Sequence, residues 1–243
     1  MGKPLRSPGG THPRTPPQIL SMPKAFEAEL KDMQDTNYRC ELPVTLHVTL
    51  FKVVFVKDND VPLGDWISTA ESVLRPHNVI LDIKPDTKKP ITLSYNGGPL
   101  LTQSDVADIR QEAHVTWQDS GAPPRLPIII CNFSAALRRG TAGMTLINQE
   151  NPPDGRKELE NGVTWLPFVL LPSGDPVADN ATLVHEIAHA CMLEHKSCGG
   201  DNLNILNDDG SLDRKTFQRR RINKFQIRKM AKAYFAMPKC LIR

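Results

Sequence analysis

A chain of 243 residues with 40% hydrophobic side chains can bury a substantial core as one catalytic-sized unit with terminal extensions. Its formal net charge of +3, with 23% charged residues, is too small to argue for a nucleic-acid partner, and no apolar run approaches a transmembrane segment. Twenty-one prolines demand many turns, while five cysteines, odd in number and without a C-x-x-C pair, read neither as a disulfide framework nor as a cysteine zinc site.

Residues 1 to 22 are rich in Pro, Gly, Ser and Thr and offer little to bury, so they are expected to be disordered, with an export or docking arm as the functional alternative. They lack the apolar stretch of a secretory signal peptide. The expectation is a protein that is cytoplasmic, exported by a signal-independent route, or stripped of its signal. A short helix follows, with Pro23 in its first turn and Phe26, Leu30 and Met33 on one face. Val44 to Lys57 is dense in β-branched and aromatic residues and predicts a long strand, in which His47 faces solvent or packs. Asp65 can cap a helix carrying Trp66, Ile67, Ala70, Val73 and Leu74, and Val79 to Ile83 alternates as a second strand. That β-α-β order implies a parallel pair.

Thr102 to Trp117 shows helical spacing at Val106, Ile109, Ala113 and Trp117, and Leu126 to Phe133 is a continuous apolar run suited to a central strand. Met144 to Asn148 predicts a further strand after a Gly-containing turn, Asn151 to Asn161 an exposed loop, and Val163 to Leu171 a strand whose Pro167 disfavours full pairing. Asp179 or Asn180 can cap the next helix, in which Leu183, Val184, Ile187 and Ala188 supply packing surface. Near the C-terminus, Ile222 to Phe235 has an apolar stripe at Ile227, Met230, Ala231, Tyr234 and Phe235. Its other face carries Arg219 to Arg221, Lys224, Arg228, Lys229 and Lys232 and reads as solvated, with a membrane or nucleic-acid contact as the alternative. A single bridge such as Cys198 to Cys240 is compatible with the spacing.

The chemistry sits in HEIAHACMLEH, His185 to His195. Positions i and i+4 of a helix stand one above the other, so His185 and His189 can offer two imidazole nitrogens to one metal ion with Glu186 beside them. Composition alone gives about 0.008 chance matches to His-Glu-x-x-His in such a chain, and His195 in register lowers that by about another thirty-five-fold. The competing reading is an amphipathic core helix that happens to carry two histidines. On an unbroken helix His195 would lie about 15 Å along the axis from His185, so a shared ion requires the helix to end and reverse near Met192 or Leu193.

This stretch resembles the metzincin clan of zinc metallopeptidases, whose pattern is H-E-x-x-H-x-x-G-x-x-H followed by a methionine-containing turn. His185, Glu186, His189 and His195 match at that spacing. Met192 takes the glycine position, where positive φ would cost a non-glycine residue about 1 kcal/mol or more. Leu206, within Asn204-Ile205-Leu206-Asn207, stands where the methionine is expected.

The resemblance implies an α+β fold of the metzincin-like zincin type: a twisted mixed β-sheet with two packed helices, a metal-bearing helix and a small C-terminal lobe. On that basis residues 1–40 form the arm and short helix, 41–197 the catalytic upper lobe and 198–243 the C-terminal lobe. It implies Zn2+ held by His185, His189 and His195, Glu186 as catalytic base, and endopeptidase action on a protein or peptide substrate. It also implies that the strand from Met144 is an antiparallel edge strand, so that Gly143, Met144 and Thr145 bind substrate backbone by strand addition; a plain strand covered by its own loops is the other reading. Arg39-Cys40-Glu41-Leu42-Pro43 is faintly similar to the cysteine switch of matrix metalloproteinase propeptides but lacks that motif's Gly and Asp, and an ordinary strand-edge cysteine is the alternative. No side chain offers itself for the oxyanion.

Two other functions stay open. One is a catalytically inactive metal-bearing binding module; the other is an aspartate-ligated zincin with Asp201, Asp208 or Asp209 in place of His195. Thermolysin-like ligation is disfavoured, because Glu194, the one glutamate after Glu186, follows His189 too closely.

Overall fold

The β-branched run at Val44–Val53 forms β1, the strand from which the sheet is built. The structure, a computed structural model, describes residues 24–57, 62–94, 97–102, 105–106, 108–109, 112–113, 124–134, 143–146, 157–158, 164–173, 180–207 and 220–238. Before β1 comes α1 (Lys24–Gln34), and after it α2 (Leu63–Leu74), β2 (Val79–Lys84) and β3 (Ile91–Leu93). Both β2 and β3 pair parallel to β1 along one edge, as the β-α-β order requires. Along the other edge β1 takes β4 (Leu126–Cys131) in parallel. Next outward lies β8 (Phe168–Pro172), again parallel, and beyond it β5 (Met144–Leu146), antiparallel to β8.

Side chains alternate across these strands, so each face of the sheet has its own core. On one face Leu46, Val48, Ile128 and Val169 meet Trp66 and Ile67 of α2 and Leu183, Val184 and Ile187 of α3 (Thr182–Ala190). On the other, Phe51, Ile129 and Leu170 meet Ile109 and Ala113 from a segment that is helical at 105–106, 108–109 and 112–113. The continuous apolar run of β4 is explained by this double burial. Trp117 and the rest of that expected helix lie outside the described residues. So do residues 1–23, Asp179, Asp208 and Asp209.

Several expectations are corrected. The helix expected to be capped by Asp65 begins at Leu63 after Pro62, which places Asp65 in the first turn, where its charge favours the positive end of the helix. Val163 to Leu171 is two strands, because Leu166 and Pro167 break the run: β7 (Thr164–Trp165) pairs with β6 (Lys157–Glu158), inside the stretch expected to be loop. The C-terminal helical stripe divides into α4 (Lys224–Met230), a turn, and β9 (Ala236–Pro238), which returns antiparallel to β1. Its basic face is partly neutralised, since Asp32 of α1 pairs with Lys224 at 3.0 Å and Arg228 at 2.7 Å.

His47 neither faces solvent nor merely packs. Its Nδ1 is 2.7 Å from the Asp82 carboxylate, across the β1–β2 register. The buried Arg125 guanidinium donates to Asp82 and to the Val48 and Asp82 carbonyls, stapling β1 to β2 at the entrance of β4. No described helix is long and apolar enough to cross a membrane.

Candidate metal centre

The helix α3 exists because one turn after another presents apolar residues to the sheet: Leu183, Val184, Ile187, Ala188 and Ala190 are all buried. It starts at Thr182, one residue later than capping by Asn180 would put it. Its end is a Schellman turn. Met192 N–H donates to the His189 carbonyl at 2.8 Å and Leu193 N–H to the Ala188 carbonyl at 3.3 Å, with Met192 in the left-handed region at φ 62°. Buried Leu193 then anchors the reversed chain, Glu194 is extended, and His195–Cys198 forms a single 3-10 turn. The reversal demanded by the spacing is therefore present, at the residue where the metzincin pattern has glycine.

That reversal brings three imidazoles together. The Nε2 atom of His189 is 3.0 Å from that of His185 and 3.1 Å from that of His195, and the remaining pair is 3.4 Å apart. His185 Nδ1 lies 2.6 Å from the Ile205 carbonyl and His189 Nδ1 2.7 Å from the Leu193 carbonyl. A carbonyl only accepts, so each of these Nδ1 atoms carries a proton and each Nε2 faces the other rings. Among the described residues, these three form a cluster able to hold a metal ion. The convergence of the three histidines was legible from spacing. The orienting carbonyls were not, because every residue has one.

Beneath the ligands lies a layer of buried amides. Asn223 Nδ2 donates to the Ser197 carbonyl at 2.8 Å, in the turn that bears His195. Gln226 Nε2 donates to Asn204 Oδ1 at 2.9 Å, and Asn204 Nδ2 returns a bond to Gln226 Oε1 at 3.0 Å. Asn204 Oδ1 also accepts from Leu206 N–H at 3.0 Å, which shapes the turn that presents the Ile205 carbonyl to His185. Leu206 itself is fully buried in the core. Asn223 and Gln226 form the capping box of α4, a signal present in the sequence as N-x-x-Q and overlooked.

Glu186 is buried, one residue beyond the first ligand and facing β5. Thr145 Oγ1 is 2.6 Å from its Oε2 and 2.9 Å from its backbone carbonyl. At Gly143 an added Cβ would fall 2.8 Å from both Cγ and Oε1 of Glu186. Gly143 and Thr145 thus abut the carboxylate, while Met144 between them packs its side chain into the core on the other face of the sheet. The antiparallel pairing of β5, and its place at the end of the sheet among the described residues, agree with the expectation for this strand.

Other candidates fall elsewhere. Cys40 bonds through its backbone to His77 and Asn78 at the start of β2 and is not in the histidine cluster. Asp201 accepts from Leu203 N–H at 2.9 Å and lies 3.7 Å from Arg221, also outside the cluster. Exposed Glu194 pairs with Lys196. Cys191, at the end of α3, is buried, and that burial pushes its thiol well above the ordinary range. Cys198 is a free thiol, and Cys240 lies outside the described residues.

No protein-family model matches the sequence, and no curated protein matches it. Among solved structures, the chain is similar to the crystal structure of metalloproteinase-II from Bacteroides fragilis, at 16% identity and a TM-score of 0.41. The match covers 73% of this chain and 53% of that one, so the chain spans about half the length of that neighbour.

Proposed function

We propose that the chain is a zinc-dependent endopeptidase of metzincin type, hydrolysing peptide bonds in protein substrates. The observation that carries this reading is the convergence of three imidazole Nε2 atoms beside a buried glutamate. Three nitrogens bound to one zinc at about 2.0–2.1 Å in tetrahedral geometry would stand about 3.3 Å apart, close to the separations found here. The neutral Nδ1-protonated form of His185 and His189 is also the form that ligates. When bound, zinc supplies Lewis acidity, acidifying water and polarising a carbonyl.

The chain's own residues would do the rest. Glu186 accepts a proton from the attacking water at its carboxylate and hands it to the leaving amine. Gly143 and the first residues of β5, Met144 and Thr145, lie on the last strand of the described sheet and would align an extended substrate backbone by strand addition. The left-handed Met192 supports the metzincin assignment over an aspartate-ligated site, because the turn it makes lets His195 itself reach the other two histidines.

The test is direct. Purified protein should contain one zinc and cleave an unstructured protein such as casein, with cleavage lost to a chelator and restored by zinc. Glu186→Gln should retain zinc while kcat falls by about 10²- to 10⁴-fold. Zinc binding without any chelator-sensitive cleavage would overturn the peptidase reading in favour of a metal-bearing binding module.

A further inference from the structure

Resting on the peptidase reading, we propose that Thr145 is the positioning residue of the general base, and that β5 therefore serves two purposes at once. Among the described strands it is the last of the sheet, and the side chain of Thr145 holds the carboxylate of Glu186. A buried carboxylate needs hydrogen-bond donors, and a threonine hydroxyl has a single proton to give. Two acceptors compete for it, the Glu186 carbonyl at 2.9 Å and Oε2 at 2.6 Å. The nearer and charged acceptor takes it, since hydrogen bonds to ionised groups are the shorter and stronger class.

A second, steric observation points to the same carboxylate. Two residues earlier on the same face of β5, the missing side chain of Gly143 leaves the space that Cγ and Oε1 of Glu186 fill. Oε2 is bonded by Thr145, and Cγ and Oε1 lie against the Gly143 backbone, so the carboxylate is placed relative to the strand by both residues. The strand is itself fixed by pairing with β8, Thr145 opposite Val169. Substrate aligned on β5 would be registered to the base through Thr145.

The experiment compares wild type, Thr145→Val and Thr145→Ser. Valine keeps the branched shape and removes the hydroxyl; serine keeps the hydroxyl. With fluorescein-labelled casein, Thr145→Val should lower kcat about 10- to 100-fold with KM within about twofold, the signature of an interaction used in the transition state. Thr145→Ser should stay within about threefold of wild type, and zinc affinity by competition with a chromogenic chelator should stay within about threefold for both. A crystal structure of metal-free Thr145→Val should show the Glu186 carboxylate moved from its place beside Gly143. The proposal is overturned if Thr145→Val keeps more than half of the wild-type kcat, if serine loses as much as valine, or if the loss of kcat follows a parallel loss of zinc affinity. Should wild type bind zinc yet cleave nothing, the peptidase reading fails, and the position of Glu186 in the metal-free variant still decides this one.

Discussion

Met192 ends the metal helix in a conformation that L side chains avoid, and its side chain, 37% exposed, has little packing to offset the strain. Met192→Gly should therefore stabilise the protein by about 0.5–1 kcal/mol, part of the relief being cancelled by the greater freedom of glycine in the unfolded chain. For a chain of this size that is a rise of about 1–4 °C in Tm, read by calorimetry on the metal-free protein. An unchanged or lower Tm would show that the methionine side chain contributes more than its exposure suggests. Gly143 is the opposite case, a glycine kept for space. Gly143→Ala puts a methyl where the Glu186 carboxylate lies, so kcat on casein should fall by about tenfold or more with Tm little changed, and full activity would mean that the carboxylate can work from another place.

The turns that carry the ligands are held by side-chain amides, with Asn204, Asn223 and Gln226 almost wholly shielded from water. Gln226 bonds Asn204, Asn223 N–H and the Ser197 hydroxyl, so Gln226→Leu strands several buried groups at once. We expect a loss of about 2–3 kcal/mol in urea unfolding and, because His185 and His195 are oriented through these turns, a drop in zinc affinity of about 10- to 100-fold. Unchanged affinity in a destabilised variant would confine the amides to folding. On the far face of the sheet Asp82 is subject to opposed effects: burial raises its carboxyl, and the bonds and charges of Arg125 and His47 outweigh it, leaving it below its ordinary value. Stability from such a group is complete above its unfolded value and is lost as pH falls through its lowered folded value. Wild type should thus lose urea resistance faster than Asp82→Asn as pH is taken from about 5 to about 2. β1, β2 and β4 are legible in the sequence because burial dictates their side chains over six to ten residues. β6 and β9 are not, since two or three residues carry no period. The three imidazoles are legible because the His-Glu-x-x-His pattern and the histidine after it carry residue type and spacing together. The work of Thr145 depends on which face of β5 meets α3, and that is decided by the pairing with β8, far along the chain.

Around the metal centre the two ends of the described chain meet. Gly199, just past the turn that bears His195, packs so closely on α1 that an added Cβ would lie 3.1 Å from Met33 Cβ. Asp32 of the same helix, held below its ordinary value first by its bond to Lys224, ties α1 to α4. Lys224 N–H also donates to the Asp35 carbonyl at 2.8 Å. The third ligand thus sits on a turn gripped from one side by α1 and from the other by the amide layer of α4, whereas the first two ride on a helix buried in the sheet's core. An ion bound by all three would join these two regions of the fold. Anything that binds the native but not the unfolded chain stabilises it by mass action, about 4 kcal/mol when free metal exceeds Kd a thousandfold. Zinc should accordingly raise Tm by about 8–16 °C over the chelated protein, and the rise should follow free zinc concentration logarithmically. His189→Ala, which removes one of the three converging imidazoles, should abolish the zinc-dependent rise while leaving the Tm of the chelated protein close to wild type. If calorimetry finds one Tm with and without zinc although one equivalent of the metal is bound, the histidines would not be joining helix and turn in the native fold, and the metal would be held as readily by the unfolded chain.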